Sequence, residues 1–146
     1  MTAGARAARG ADLVTWYRRH GRELPWRRDP TPYRVWVSEI MLQQTTVAAV
    51  FPRYERFVAR FPDVASLARA EESEVLTEVS GLGYYRRFRA MHRAARELVE
   101  KGVKDLPRSL AEIRALPGIG DYTAGAISAI AFDEPVAAVD GNALRI

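Results

Sequence analysis

The stretch LPGIGDYTAG, residues 116–125, decides the fold, because it joins two short predicted helices through a turn that a proline and two glycines shape. Gly118 and Gly120 permit backbone angles that other residues avoid, and they let another molecule approach the main chain closely. Free N–H groups at the start of the following helix favour an anion, since the helix dipole acts in the same direction. The stretch predicts a phosphate-binding loop, with a plain tight turn as the alternative.

The segments on either side of the loop are both predicted to be helical. Ser109 and Glu112 have the spacing of a capping box, which predicts a short helix to Ala115. Asp121 is the predicted N-cap of a helix of small residues that ends at Ala131. This arrangement resembles the helix-hairpin-helix, a motif that clamps the DNA backbone without reading its sequence. The resemblance implies a monovalent cation held by the backbone carbonyls of Arg114, Leu116 and Ile119.

Helical periodicity continues along most of the chain. A first helix is expected to end near His20, and residues 22–32, which contain three prolines, are expected to form a loop. Thr31 followed by Pro32 predicts the start of the next helix, which runs to about Gln43. Further helices are predicted from a cap at Thr45 or Thr46, over 63–69, over 72–80, and over 85–101 with Gly102 closing the last. The pattern predicts an all-α fold.

Composition excludes several classes of protein. The 146 residues are 48% hydrophobic and 27% charged, which is typical of a folded domain. There is no cysteine and there are only two histidines, so thiol chemistry and cysteine metal sites within this chain are excluded. The longest uncharged apolar run, residues 126–132, is too short to cross a bilayer, and residues 1–11 lack the apolar core of a signal peptide. We therefore expect no membrane association and an intracellular location, in the cytoplasm or nucleoid.

The charge pattern is uneven. The formal net charge is +4, and residues 86–96 contain five arginines with no acidic residue between them. Residues 63–80 carry five acidic residues against a single arginine. The arginine run has two interpretations, a solvated helix face or a set of phosphate contacts, and the sequence leaves both open.

Several further motifs occur in a fixed order around the loop. Together they resemble the MutY family of adenine-specific mismatch DNA glycosylases, within the helix-hairpin-helix base-excision superfamily, over about residues 13–146. The motifs are LPWR (24–27), TPYRVW (31–36), SEIMLQQT (38–45), GLGYY (81–85), the loop at 116–125 and VDGN (139–142).

The resemblance implies the helix-hairpin-helix DNA glycosylase fold, with a six-helix bundle over residues 33–139 and the hairpin at about 109–131. Residues 1–32 would form the N-terminal helix and loop of a second lobe. Residues 140–146 would begin the return of the chain to that lobe, which we expect to be incomplete. The DNA cleft would lie between the two lobes.

Glu39 is the candidate general acid. Its predicted helix is otherwise mostly apolar, so the carboxyl group would be partly desolvated and its pKa raised. Adenine leaves well only when a ring nitrogen is protonated, and such a group can supply the proton. A surface glutamate on an amphipathic helix is the alternative, and the resemblance favours the acid.

Asp140 is the candidate second carboxylate. Cleavage of an N-glycosidic bond builds positive charge on the sugar, and a nearby anion stabilises it, as in glycoside hydrolases. The residues alone also permit a turn at Asp140 or an N-cap for a helix that begins at Ala143. The resemblance implies the catalytic role, with Asn142 as a hydrogen-bonding helper.

Tyr122 separates two kinds of glycosylase. The resemblance places it where the related endonuclease III-type enzymes carry a lysine that forms a Schiff base and cleaves the strand. The only lysines here, Lys101 and Lys104, lie outside the loop. We therefore expect a monofunctional, water-using glycosylase in which Tyr122 lies near Asp140.

DNA handling also has candidate residues. A base inside a duplex must be flipped out before it can react, and side chains fill the gap. By resemblance, Gln44 and Tyr84 would insert beside the extruded base and its partner, and Leu82 would assist them. The base pocket would be lined by Trp26 and Arg27, with Leu24 close by.

The expected function is removal of adenine mispaired with 8-oxoguanine or guanine in base-excision repair, by a monomer acting on double-stranded DNA. The alternatives are a thymine or uracil mismatch glycosylase of the same superfamily, and a non-catalytic helix-hairpin-helix DNA-binding module. The resemblance also implies a 4Fe-4S cluster in the full-length family, with ligands beyond Ile146 and none within this chain. Because the chain stops in mid-element, we expect this fragment alone to be weak or inactive.

Overall fold

The computed structural model describes residues 2–145, and within this range the fold consists of helices and connecting segments without strands. The all-α prediction is therefore confirmed. The predicted ranges 1–32 and 140–146 include residues 1 and 146, which lie outside the described residues. The elements are α1 (Ala3–His20), a 3₁₀ turn (Pro25–Arg27), α2 (Pro32–Leu42), α3 (Val47–Arg60), α4 (Val64–Arg69), α5 (Glu72–Glu78), α6 (Arg86–Glu100), α7 (Leu110–Arg114), α8 (Asp121–Phe132) and a second 3₁₀ turn (Ala143–Arg145).

Hydroxyl and carboxylate caps set most of the helix starts. The Thr31 hydroxyl accepts a hydrogen bond from the Arg34 N–H at 3.3 Å, and Pro32 occupies the first turn of α2. Thr46, rather than Thr45, caps α3 by accepting from Ala49 N–H at 3.2 Å. These starts agree with the predictions, because side-chain caps satisfy N–H groups that have no partner within the helix.

Three local predictions differ from the structure. Residues 25–27 form a 3₁₀ turn inside the predicted loop, since the Arg27 N–H reaches the Leu24 carbonyl at 3.0 Å. Helix α8 has Gly120 as its N-cap, not Asp121, because Gly120 is extended and its carbonyl accepts from the Ala124 N–H at 3.0 Å. At α7 the Ser109 hydroxyl accepts from the Glu112 N–H at 3.4 Å, which is one half of the predicted capping box.

The core is built around α2, which packs against both α3 and α8. Trp36 is completely buried, and the Tyr33 hydroxyl donates a 2.6 Å hydrogen bond to the Phe61 carbonyl. Helix α6 packs along α4 and closes the other side of the core with Phe88 and Met91. This packing fixes the face of α2 that carries Glu39 against the first turns of α8.

Helix α1 contributes no buried residue, and Leu13, Trp16 and Tyr17 are exposed, as expected for an apolar stripe without packing partners. Its C-terminal end touches the 3₁₀ turn, where the Arg27 guanidinium lies 5.3 Å from the centre of the Tyr17 ring. None of the helices described in residues 2–145 is long and apolar enough to span a membrane.

Candidate active site

The predicted catalytic residues meet at one open cavity of about 700 Å³. Glu39 reaches it from the buried helix α2, Tyr122 from the first turn of α8, and Asp140 from the segment that follows α8. The wall of the cavity is formed by residues from five parts of the chain. These residues are Tyr17, Trp26, Arg27, Pro30, Val35, Ser38, Glu39, Leu42, Gln43, Gln44, Tyr122, Ile130, Asp140 and Asn142.

Glu39 is half-buried at this cavity, with buried residues on either side of it in α2. Burial is the largest influence on the Glu39 carboxyl and raises its pKa. A hydrogen bond from the Tyr122 hydroxyl lowers the pKa, and the charge of Asp140 raises it. The net shift is upward, which keeps a proton on the carboxyl to higher pH than on an exposed glutamate.

The Tyr122 hydroxyl is held in its neutral form. Burial, followed by the charge of Glu39 and the hydrogen bond to it, raises the pKa of Tyr122 to about 12, with a smaller contribution from Asp140. A neutral phenol donates a hydrogen bond to a carboxylate but offers no nucleophilic amine. No lysine lies among the residues that line this cavity in the described part of the chain.

Asp140 both caps a turn and faces the cavity. One of its carboxylate oxygens accepts a 2.7 Å hydrogen bond from the Ala143 N–H. Asp140 is therefore the N-cap that the sequence also permitted. The carboxylate has further acceptor capacity, and Asp140 lines the cavity together with Asn142. The Asn142 side-chain oxygen accepts a hydrogen bond from Arg145. The cap holds the aspartate in place without removing it from the site.

Gly125 positions Asp140, a role that sequence reasoning missed. A Cβ built at Gly125 would lie 2.3 Å from the Ala137 carbonyl oxygen and 3.4 Å from the Cα of Ala138. The extended segment before Asp140 therefore crosses α8 in direct contact with its backbone. Within α8 only glycine leaves room for this approach, and its position in a run of small residues was the available signal.

Two of the three base-pocket candidates line the cavity. Trp26 is buried, and its ring makes an edge contact with Tyr54 at 5.5 Å between centroids. Arg27 is held by a 2.9 Å hydrogen bond from its guanidinium to the Arg22 carbonyl. Leu24 lies elsewhere, because its side chain is buried in the hydrophobic core and does not reach the cavity wall.

The predicted wedge residues flank a second cavity of about 390 Å³ next to the first. Gln44 and Tyr84 are exposed, and both have left-handed backbones with φ of 52° and 48°. Such angles are uncommon for residues other than glycine, and they are enriched at functional sites. Leu82, which was predicted to assist them, is buried in the core.

The loop of the hairpin borders the same second cavity at Gly118, whose φ is 77°. Leu116 and Ile119 are buried and anchor the loop, and the Ile119 N–H donates to the Leu116 carbonyl at 3.3 Å. Arg114 forms an ion pair with Asp121 across the loop. Gly118 and Gly120 are exposed, which leaves the backbone of the loop accessible. A cation on the carbonyls of Arg114, Leu116 and Ile119 remains a prediction.

A helical bundle with a helix-hairpin-helix beside a cavity lined by two carboxylates defines a class of DNA repair protein. A model of the HhH-GPD superfamily of base excision DNA repair proteins matches residues 37–146, which is most of the chain. The chain therefore belongs to the HhH-GPD superfamily.

Individual proteins similar to this chain include two mammalian adenine DNA glycosylases. The chain is 45% identical over 145 residues to the adenine DNA glycosylase of Mus musculus. This match covers 93% of this chain but only 28% of that protein. The chain is 44% identical over 149 residues to the adenine DNA glycosylase of Homo sapiens, covering 96% of this chain and 27% of the relative. The chain thus spans about a quarter of the length of these relatives.

Among solved structures, a thermostable thymine-DNA glycosylase superposes with a TM-score of 0.86 at 28% identity, over 94% of this chain and 64% of that one. The predicted helix-hairpin-helix glycosylase fold is confirmed by this agreement together with the superfamily match.

Proposed function

We propose that this chain carries the catalytic centre of an adenine-specific DNA glycosylase that acts in base-excision repair. One observation carries the proposal, namely the half-buried Glu39 that shares a cavity with Tyr122 and Asp140. Similarity to the adenine DNA glycosylases of Mus musculus and Homo sapiens supports the choice of base.

In the proposed reaction, the target adenine leaves the helix and enters the larger cavity between Trp26 and Glu39. The protonated Glu39 carboxyl donates its proton to a ring nitrogen of adenine, which makes the base a better leaving group. The bond between the sugar and the base then breaks, and its electron pair departs with adenine. The raised pKa of Glu39 favours the protonated form that this step needs.

Asp140 stabilises the positive charge that develops on the sugar as the bond breaks. Asn142, on the same wall of the cavity, supplies a hydrogen bond at that side. Water then attacks the sugar carbon, and its proton passes to a carboxylate. Tyr122 remains neutral throughout, since the pKa of Tyr122 is raised to about 12. Without a lysine at the cavity, the enzyme releases the base and leaves the strand intact.

The proposed partner is double-stranded DNA that contains adenine opposite 8-oxoguanine or guanine, bound by a monomer inside the cell. Gln44 and Tyr84 would enter the duplex, and the hairpin loop would bind its backbone. A 4Fe-4S cluster is proposed for the full-length family only, because this chain has no cysteine to hold one. No step of the proposed reaction passes through the cluster.

A thymine or uracil mismatch glycosylase is the second candidate, since the thermostable thymine-DNA glycosylase superposes closely on this fold. Base release separates the candidates. Duplexes with A:8-oxoguanine, A:G, T:G and U:G pairs are incubated with the purified full-length protein, and free base is measured under single-turnover conditions. Release of adenine from the first two supports the proposal. Release of thymine or uracil alone would support the second candidate, and binding without any release would indicate a non-catalytic module.

A further inference from the structure

The arginine-rich helix α6 has two functionally different faces. On one face the Arg89 guanidinium pairs with Glu72 at 3.2 Å. The Arg96 guanidinium donates hydrogen bonds to the carbonyls of Ala68 and Ala70, both at 3.3 Å. These two arginines bind other parts of the protein and contribute to the packing of α6 on α4.

The adjacent face presents Arg86, Ala90 and Arg93, whose spacing of four and three residues puts them in one row. All three border the cavity of about 390 Å³ that Gln44 and Tyr84 also line. Within residues 2–145, neither Arg86 nor Arg93 forms an ion pair, and no carboxylate lies among the described residues of the cavity wall. Two exposed positive charges therefore face this cavity without neutralisation.

The hairpin loop lies directly on this row. A Cβ built at Gly118 would come within 2.7 Å of the Ala90 Cβ, so the loop backbone touches α6 between the two arginines. Gly118 borders the same cavity and is itself exposed. Side-chain cations from α6 and the exposed backbone of the loop thus converge on one place.

Arg87 adds a third positive charge behind this surface. It is 9% exposed, and one guanidinium nitrogen donates to the carbonyl of Gln43, the residue before Gln44. Its Nε and second terminal nitrogen are buried without a hydrogen-bond partner in the described chain. A buried cation without a carboxylate is costly on its own, and its field favours an anion in the adjacent cavity.

We propose that Arg86 and Arg93, together with the loop at Gly118, bind the phosphodiester backbone of duplex DNA next to the step that Gln44 and Tyr84 enter. The site divides four of the five arginines of the run into a DNA-binding pair, Arg86 and Arg93, and a structural pair, Arg89 and Arg96. It rests on the proposed function, because it identifies further contacts of the same enzyme with its duplex.

The double variant Arg86→Gln/Arg93→Gln tests the site, with Arg89→Gln as the matched control from the structural face. Binding of an undamaged, fully paired fluorescent duplex is measured by anisotropy over a series of salt concentrations. Each phosphate contact contributes about 0.9 to the slope of log K against log salt, so the double variant should lose about 1.8 from the slope. Arg89→Gln should keep the wild-type slope.

An unchanged slope in the double variant, or an equal loss in Arg89→Gln, would overturn the site. Circular dichroism and the unfolding midpoint verify that each variant is folded.

Because the duplex is undamaged, this test does not depend on base release. The expected slope change in a full-length protein that releases no adenine would contradict the proposed function and leave the DNA-binding site standing.

Discussion

The carbonyl oxygen of Ala137 lies against the backbone of Gly125 in helix α8. A Cβ atom added at Gly125 would lie 2.3 Å from this oxygen. The contact joins the segment that carries Asp140 to the helix that carries Tyr122. Both residues border the cavity of Glu39, so this contact ties the segment that carries Asp140 to a helix that forms part of the cavity wall.

Gly125→Ala should therefore displace Asp140 while the helical fold persists. A shift of about 1 Å in catalytic alignment can cost about 100-fold in rate, and we expect a loss of that order in single-turnover adenine release. Gly10→Ala is the matched control, since a Cβ at Gly10 has no neighbour within 4 Å. Equal rates for both variants and the wild type would show that Gly125 does not position Asp140.

Asp140→Asn isolates the charge of the carboxylate from its capping role, because an asparagine oxygen can also accept from the Ala143 N–H. We expect the single-turnover rate to fall by several orders of magnitude as the positive charge on the sugar loses its stabilising anion. The unfolding midpoint should change little. A rate close to that of the wild type, with the midpoint unchanged, would restrict Asp140 to the cap.

The rate should depend on pH through Glu39, whose protonated form is the reactive one. Burial raises the pKa of Glu39, so activity should be full below that raised value and should be lost as the pH rises through it. The hydrogen bond from Tyr122 lowers the same pKa, and Tyr122→Phe removes it. The alkaline limb of the rate profile should therefore move to higher pH in Tyr122→Phe. A limb that moved to lower pH would contradict the assignment.

Tyr122→Lys should add strand cleavage to base release. The new amine would face the sugar from the wall of the cavity, where it can form a Schiff base. Borohydride should then trap a covalent adduct between the protein and the DNA, and the control variant Tyr122→Phe should give none. If the lysine variant releases adenine but leaves no adduct, position 122 is not equivalent to the lysine of the strand-cleaving relatives.

Local chemistry made much of the fold predictable. The Thr31–Pro32 pair marks the start of α2, and the helix that runs to Glu100 is followed by Gly102 with φ of 73°. Caps and glycines act over a few residues, so they can be recognised without knowledge of the packing. The turn at Pro25–Arg27 was missed because residues 22–32 contain three prolines, which are equally common in irregular loops.

The site was predictable only in part. The order of the motifs brought Glu39, Tyr122 and Asp140 to one cavity by resemblance, yet two contacts between segments distant in the chain were missed. The Gly125 contact joins the helix to a later segment, and the Arg87 guanidinium reaches the Gln43 carbonyl over a long separation in the chain. Leu24 and Leu82 were placed at the site by their motifs, whereas packing buries both of them in the core.

Single-turnover release of adenine from an A:8-oxoguanine duplex by Glu39→Gln tests the central claim most directly. Glutamine keeps the size of the side chain and removes the transferable proton, so the rate should fall by about 10²- to 10⁴-fold while duplex binding, measured by anisotropy, stays at the wild-type level. Adenine release within a few-fold of the wild-type rate, at saturating protein, would contradict Glu39 as the acid and with it the proposed mechanism.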